Sequence, residues 1–202
     1  DWSSDVCSSD LKVKTLIDRI LPYAPYLNEY HLQIDTVNSF PHSSGIASSA
    51  SAMAALAAAI MDLEKQIYPS LTAEDQIKKC SFLARLGSGS AARSVEGPLV
   101  LWGEHAATPV SSDLFGVRWT KAADVFTTYR DTILLVDKGQ KEVSSTVGHD
   151  LMHNHPFAET RFAQAKAHYQ ALLTILEKGD MDGFSDLVER EALSLHAMML
   201  TS

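Results

Sequence analysis

The chain has 202 residues, of which 46% are hydrophobic and 21% are charged, and its formal net charge is −8. These values allow a sizeable core, and the negative balance argues against a broad basic face that would bind nucleic acid or an acidic membrane. The longest apolar run, residues 52–61, is shorter than the roughly 18 residues that a membrane-spanning helix needs. Two isolated cysteines, Cys7 and Cys80, form no disulfide framework, so we expect a cytoplasmic protein.

The first ten residues differ in character from the rest of the chain. They contain a near-repeat, Ser3-Ser4-Asp5 and Ser8-Ser9-Asp10, that has no counterpart downstream. We interpret residues 1–10 as a non-native scar. The chain begins without Met and the apolar pattern over residues 193–202 stops without a cap, so we expect truncation at both ends.

Periodicity predicts a mixture of helices and short strands. Helical spacing is found over residues 11–21, 53–67, 72–87, 157–176 and 181–200. Strand-like patterns are found over residues 30–37, 99–102, 116–119 and 132–136. Thr72 and Asp75 form a capping-box pattern, and Gly179 is a predicted helix stop. The mixed first part gives way to a strand and then mainly helices, so we place a domain boundary between residues 128 and 129.

Three loop segments have the composition of anion-binding sites. Residues 40–50 are mostly small and lead into a helix N-terminus, where backbone N–H groups and serine hydroxyls favour negative charge. In residues 87–94, Arg93 lies one helical turn past Ser90, so its guanidinium can reach the same side. Residues 137–149 combine lysines with Ser-Ser-Thr at an expected helix start.

Composition alone favours simpler interpretations of all three. The first segment could only cap a helix, the second could be a helix start with a surface arginine, and the third could be a solvated turn. His149, His153 and His155 raise the alternative of a metal site, since the first two are spaced i, i+4. No strong fourth ligand accompanies them, so hydrogen-bonded or solvated histidines are favoured and no metal ligand is assigned.

The first segment resembles the phosphate loop of the GHMP kinase superfamily, Pro-x-x-x-Gly-Leu-x-Ser-Ser-Ala. Pro41 and Gly45 match, as do the three residues at 48–50, with Ile46 in place of Leu. Ala47 stands where the kinases prefer Gly, which is closer to the decarboxylase branch. The resemblance implies ATP binding at Ser43, Ser44, Gly45, Ala47, Ser48 and Ser49.

The second segment and its flanks, residues 85–94, resemble the motif Arg-x-Gly-Ser-Gly-Ser-Ala-Cys-Arg-Ser of diphosphomevalonate decarboxylases, with Ala92 in place of Cys. The resemblance implies that mevalonate diphosphate contacts Ser88, Gly89, Ser90, Ala91, Ala92 and Arg93. Arg93 would hold the carboxylate that is lost as carbon dioxide. The third segment is similar to the family's Lys-Lys-x-Val-Ser-Ser-Thr-x-Gly-Met, which implies that Ser145 and Thr146 lie near the diphosphate, although His149 replaces Met.

The family implies an α+β, GHMP-kinase-like two-domain fold. Residues 11–128 would be the remainder of the N-terminal, ATP-binding domain, which is ribosomal protein S5 domain 2-like, and residues 129–202 the start of an α/β-sandwich C-terminal domain. The implied reaction is decarboxylation of mevalonate 5-diphosphate to isopentenyl diphosphate with ATP and Mg²⁺, in an enzyme that can be a homodimer. A mevalonate-type 3-kinase and a phosphomevalonate decarboxylase are alternatives within the superfamily, and a non-catalytic helical interaction module is an alternative outside it.

Two functional elements of the family have no match in this chain. The strand motif Lys-Tyr-Trp-Gly-Lys is absent from the sequence, and none of its aspartates can be assigned the catalytic role. We therefore expect the 202-residue chain to be inactive by itself.

Overall fold

The computed structural model describes residues 8–37, 39–40, 46–130, 132–134 and 155–201, with the backbone alone for residues 8–10. The chain divides into two units, Asp1–Trp119 and Thr120–Ser202. This division lies earlier in the chain than the boundary expected between residues 128 and 129, and the assignment of the two family domains stays a prediction.

Three helices and a small sheet make up the described part of the first unit. The helices are α1 (Ser8–Ile20), α2 (Ser48–Ile67) and α3 (Ala73–Gly87). Short 3-10 turns follow α1 at Pro25–Glu29 and α3 at Gly89–Arg93. Strands β1 (Val100–Leu101) and β2 (Val117–Arg118) pair antiparallel, with Val100 opposite Arg118.

The core of the first unit lies between α1, α2 and α3. Leu16, Ile20, Met61 and Leu83 are its largest fully buried side chains. Several alanines are buried beside these side chains, and one of them, Ala57, has no exposed surface. Small side chains at helix contacts let the backbones approach closely. The predicted apolar stripe of α2 is confirmed, because its members are either buried or packed against this core: Met53, Leu56, Ile60, Leu63 and Ile67.

Of the capping-box pattern at the start of α3, the N-cap bond of Thr72 is confirmed and the reciprocal bond is not formed. The Asp75 amide donates to Thr72 Oγ1 at 3.1 Å, which satisfies one of the free N–H groups of the first turn. The carboxylate of Asp75 accepts from the Thr72 hydroxyl at 2.6 Å instead of reaching back to the cap amide.

Two predicted strands are wrong for the residues that the structure describes. Residues 30–37 have no regular structure, and Val37 is 95% exposed. Residues 132–134 are also irregular, with Leu134 83% exposed. Alternation and β-branched residues favour a strand only where a neighbouring strand accepts its hydrogen bonds, and neither segment has such a neighbour within the described ranges.

The second unit is built on two long helices, α4 (Ala158–Lys178) and α5 (Met181–Leu200). Gly179 joins them in the left-handed conformation, with φ 73°, as predicted for a helix stop. Asp180 then caps α5 by accepting a hydrogen bond from the Gly183 amide at 2.9 Å. Of the face predicted for α4, Leu176 is buried, but Phe162 is 55% exposed.

A polar cluster connects the two helices of the second unit. Arg161 on α4 is nearly buried and forms an ion pair with Glu191 on α5. His168 Nδ1 lies 2.5 Å from the other carboxylate oxygen of Glu191. Burial raises the pKa of Glu191, but the hydrogen bonds from Arg161 and His168 outweigh that effect and lower the pKa below its usual value.

None of the helices that the structure describes combines the length and the apolar character needed to cross a membrane.

Candidate functional site

The segment predicted to bind the substrate forms a tight turn directly after α3. Ser88 leaves the helix in an extended conformation, and Gly89–Arg93 wind into a 3-10 turn. The Ala91 amide donates to the Ser88 carbonyl at 2.8 Å, and the Ser94 amide donates to the Ala91 carbonyl at 3.0 Å. This winding turns Ala91 and Ala92 inward and leaves Ser90 and Arg93 exposed.

The inner side of the turn is fastened to the core. Ala91 has no exposed surface and belongs to the same apolar cluster as α2 and α3. The buried hydroxyl of Ser81 donates to the Ala92 carbonyl at 2.7 Å and accepts from the Gly116 amide at 2.8 Å. The hydroxyl thereby bridges the turn and the entry to β2, 11 and 35 residues away along the chain.

Further contacts fix the start of the turn. Trp102 lies over Gly89, where an added Cβ would stand 3.2 Å from the indole ring. The Arg19 guanidinium donates to the Leu86 carbonyl at 2.7 Å. Arg85, the first arginine of the motif, donates to the Leu114 carbonyl at 3.0 Å. Two arginines near the turn are thus used to hold backbone carbonyls.

Arg93 is different from those two arginines. Its side chain is exposed and makes no hydrogen bond or ion pair with any residue that the structure describes. The hydroxyls of Ser88 and Ser90 also have no partner among these residues. An anchored backbone therefore presents the exposed Arg93 guanidinium and Ser90 hydroxyl beside the half-buried Ser88, which suits a ligand with carboxylate or phosphate groups.

The described part of the predicted ATP loop lies at the start of α2. Ala47 is the N-cap residue and adopts the left-handed conformation, with φ 55° and ψ 31°. Ser48 and Ser49 form the first turn, Ser49 is exposed, and none of the described side chains caps the first N–H groups of the helix. An uncapped helix N-terminus with hydroxyls beside it favours an anion.

The start of α2 and the turn after α3 belong to one region of the first unit. An added Cβ at Gly87 would stand 2.6 Å from Met53 Sδ, so α2 meets α3 where the turn begins. Ser48 precedes Met53 by five residues, or about 7.5 Å of helix. The structure therefore brings the described ATP-loop residues close to the candidate substrate turn.

The remaining predicted site residues lie outside the described residues. They are Ser43, Ser44 and Gly45 of the first segment, Ser145 and Thr146 of the third, and the histidines His149 and His153. His155 is described and nearly buried: Nδ1 accepts from the Phe157 amide at 3.2 Å, and Nε2 lies 3.2 Å from Thr201 Oγ1. Within the described part of the chain, no group of acidic, histidine or cysteine side chains could hold a metal ion.

Two surface cavities of the first unit do not coincide with the turn. One of about 350 Å³ is lined by residues 104–111. The other, of about 390 Å³, lies against α3 and β2 and includes Ile77, Phe115 and Arg118. None of Ser88 to Arg93 lines either of these two cavities, so the turn is a candidate site because of its exposed donors and not because of a cavity.

Sequence reasoning missed the residues that hold the turn. Ser81 and Gly116 act through contacts with segments far along the chain, which no local pattern shows, and Arg85, although inside the motif, was given no role there. One signal was available for Ser81, because it is a polar residue next to Cys80 on the predicted buried face of α3 and four residues after Ile77. A polar residue on a buried helix face needs a partner, and here it has two.

The fold defines a class of protein. The structure matches a mevalonate diphosphate decarboxylase from Legionella pneumophila with a TM-score of 0.67 and 26% identity, over 98% of this chain and 57% of that one. With the helices and small antiparallel sheet, this match confirms an α+β fold of the GHMP-kinase type.

Sequence comparison narrows the class to one family. A family model described as the diphosphomevalonate decarboxylase-like N-terminal domain matches residues 3–113, and the chain belongs to that family. The match begins inside the segment interpreted as a non-native scar, and that interpretation stays a prediction.

Curated relatives agree with the family assignment. The diphosphomevalonate decarboxylase of Candida albicans is 30% identical over 98% of this chain and 53% of its own length. That of Eremothecium gossypii is 32% identical over 97% of this chain and 48% of its own length. The chain thus spans about half the length of these relatives.

Proposed function

We propose that this chain forms part of an enzyme that decarboxylates mevalonate 5-diphosphate to isopentenyl diphosphate with the consumption of ATP. The observation that carries the proposal is the exposed Arg93, which pairs with none of the residues that the structure describes and follows a backbone carbonyl held by Ser81. A guanidinium offers a planar pair of donors that fits a carboxylate better than a lysine ammonium does. Arg93 would bind the carboxylate that leaves as carbon dioxide.

The rest of the turn would bind the same substrate through neutral donors. The hydroxyls of Ser88 and Ser90 lie beside Arg93 and bond to none of the residues described in the structure, and such hydroxyls suit phosphate oxygens. Fixed donors at the place where charge changes during the reaction stabilise a transition state without reorganisation. Rigid anchoring of the turn therefore has a catalytic purpose in this proposal, because a loose donor would have to be ordered at each turnover.

We infer that ATP binds beside the substrate at the start of α2. Ser48, Ser49 and the free N–H groups of the first helical turn are suitable donors for its phosphates. Mg²⁺ is usually held by one or two carboxylates and by the phosphates themselves. No carboxylate is assigned to it here, so Mg²⁺ would enter with the nucleotide and offset the repulsion between anionic groups in one cleft.

Activity and substrate binding are separate expectations for this chain. The family's Lys-Tyr-Trp-Gly-Lys motif and its catalytic aspartate have no match in the 202 residues. We therefore propose that the chain alone binds mevalonate diphosphate but releases no carbon dioxide from it. We also propose that the enzyme works in the cytoplasm, in agreement with the isolated cysteines.

Calorimetric titration of mevalonate diphosphate into the chain tests the binding site. Replacing Arg93 with Ala should weaken binding by about 10-fold to 100-fold, since a hydrogen bond to a charged group contributes about 1.5–3 kcal/mol. Arg190→Ala is the matched control, because Arg190 is exposed on α5 and its ion pair with Asp186 is long, with 3.9 Å between Nη2 and Oδ2. Equal affinity in the Arg93→Ala variant, or equal losses in both variants, would refute the role given to Arg93.

Turnover distinguishes the proposal from its alternatives. The longest protein encoded by the gene would be supplied with ATP and mevalonate diphosphate, and carbon dioxide and ADP would be measured together. Both products in equal amounts support the decarboxylase. ADP without carbon dioxide identifies a 3-kinase, preference for the monophosphate identifies a phosphomevalonate decarboxylase, and no ligand binding at all favours a helical interaction module.

A further inference from the structure

We propose that Ser81 is a positioning residue that determines where Arg93 presents its guanidinium. Ser81 lies on α3 and is only 1% exposed, so its own side chain is too buried to contact a ligand of the turn. The proposal rests on the assignment of the turn as the substrate site, and it adds a residue that none of the sequence motifs includes.

The Ser81 hydroxyl makes two hydrogen bonds to backbone groups of other segments. Ser81 Oγ donates to the carbonyl of Ala92, the residue directly before Arg93, at 2.7 Å. The same oxygen accepts from the Gly116 amide at 2.8 Å. A serine hydroxyl has one donor, and here it is directed at the turn instead of at a carbonyl of its own helix. Both backbone groups are therefore held by one atom on a rigid helix.

Gly116 packs closely against the same carbonyl. An added Cβ at Gly116 would stand 2.5 Å from the Ala92 oxygen and 2.6 Å from Val100 Cγ1, so only glycine permits this approach. The Ala92 oxygen is thus in contact with both the Ser81 hydroxyl and the Gly116 backbone. Because Ala92 is 1% exposed and its carbonyl is held by these contacts, we infer that the next residue along the chain leaves the core in a defined direction.

Removing the hydroxyl would release this arrangement. In a Ser81→Ala variant the Ala92 carbonyl and the Gly116 amide lose a shared partner in a buried place, and both must move to find new ones. A displacement of about 1 Å in a binding group can cost a large factor in binding or rate. We therefore expect the variant to lose affinity for the ligand of the turn and to keep affinity for the ligand of the α2 N-terminus.

The test compares two ligands and two buried hydroxyls. Affinities for mevalonate diphosphate and for a non-hydrolysable ATP analogue would be measured for the chain and for Ser81→Ala. Tyr26→Phe is the matched control, since it also deletes a buried hydroxyl with two hydrogen bonds, to the Ile60 carbonyl at 3.2 Å and to Glu64 at 3.3 Å. Circular dichroism and thermal melts would establish that each variant is folded at the assay temperature.

We expect Ser81→Ala to bind mevalonate diphosphate at least about tenfold more weakly and the ATP analogue within about twofold of the original affinity. Tyr26→Phe should stay within about twofold for both ligands. Ser81→Cys, which keeps a weak donor and acceptor at the site, should lie between the original chain and Ser81→Ala.

Unchanged binding of mevalonate diphosphate to Ser81→Ala overturns the proposal, and so does an equal loss for both ligands or a loss that Tyr26→Phe reproduces. If Ser81→Ala does not fold, Ser81→Cys is judged by the same criteria. Failure of the unaltered chain to bind mevalonate diphosphate would refute the proposed function itself, which separates that failure from the failure of the role of Ser81.

Discussion

Replacing Ala47 with glycine should stabilise the first unit. Ala47 is the N-cap of α2 and has φ 55° and ψ 31°, a left-handed conformation in which its Cβ crowds the following carbonyl. Glycine adopts this conformation without that cost. The kinases resembled by this loop prefer glycine at the equivalent position, and the positive φ supplies a physical reason for that preference.

The expected gain in the free energy of unfolding follows from backbone strain and, separately, from capping preferences. Relief of the left-handed strain is worth about 1–2 kcal/mol, and the additional freedom of glycine in the unfolded chain cancels about 0.5–1 kcal/mol of it. Capping preferences lead to a similar value. At an N-cap, glycine stabilises a helix only a few tenths of a kcal/mol less than serine does, whereas alanine stabilises it about 0.5–2 kcal/mol less. The expected gain in the free energy of unfolding is about 0.5–1 kcal/mol.

Urea denaturation followed by tryptophan fluorescence measures this gain. Trp102 and Trp119 lie in the described part of the first unit, so their emission reports its unfolding, whereas Trp2 lies outside the described residues. Ala58→Gly is the matched control: Ala58 is exposed within α2, and the same chemical change there should cost about 1 kcal/mol. A midpoint that falls in the Ala47→Gly variant, or shifts of the same sign in both variants, would refute the reasoning.

Three further predictions concern charge, thiol chemistry and packing. The ion pair with Arg161 lowers the pKa of Glu191, so the stability that the pair adds is present above the unfolded pKa and is lost as the pH falls through the folded pKa. Glu191→Gln should therefore destabilise the second unit by about 1–2 kcal/mol at neutral pH, which is less than the loss expected for a fully buried ion pair, and the destabilisation should vanish in acid. Hydrogen exchange of the α4 and α5 amides measures this destabilisation, and a value that does not change with pH contradicts the prediction. Burial, together with the Asp62 charge, raises the pKa of Cys80 from 9.0 to about 11. The thiolate fraction of Cys80 at pH 8 should therefore be about 100-fold below that of an unperturbed thiol. Peptide mass mapping after alkylation should show Cys80 modified only once urea is added, and rapid labelling of Cys80 in the folded chain would contradict the raised pKa. Leu83→Ala should cost about 2–5 kcal/mol, since Leu83 is fully buried, and a fluorescence-monitored midpoint unchanged from the original chain would contradict its place in the core.

Helices were more predictable than strands because a helix carries its hydrogen bonds within one segment. The pattern over residues 181–200 agrees with α5, and both Thr72 and Gly179 mark helix ends as expected. A strand needs a partner that periodicity cannot show, so residues 99–102 and 116–119 contain β1 and β2, whereas residues 30–37 do not form a strand.

The candidate site was predictable only in part for a related reason. Ser88 to Arg93 are contiguous, so a motif can identify them, and the structure presents Arg93 on the surface. Whether the turn is rigid depends on Ser81 and Gly116, which reach it from other segments. Contacts between distant segments are set by packing, and their polar members are recognisable in a sequence only as exceptions to an apolar pattern.

The alanines buried in the first unit have a practical consequence for mutagenesis. Positions such as Ala57, Ala84 and Ala91 are fully buried, yet replacement by alanine, the usual way to search for important residues, leaves them untouched by definition. Enlarging substitutions such as Ala57→Leu would force the helices apart, and overpacking of this kind typically costs about 1–3 kcal/mol. Alanine scanning of this protein would therefore miss these closely packed helix positions, whereas substitution by larger side chains would detect them first.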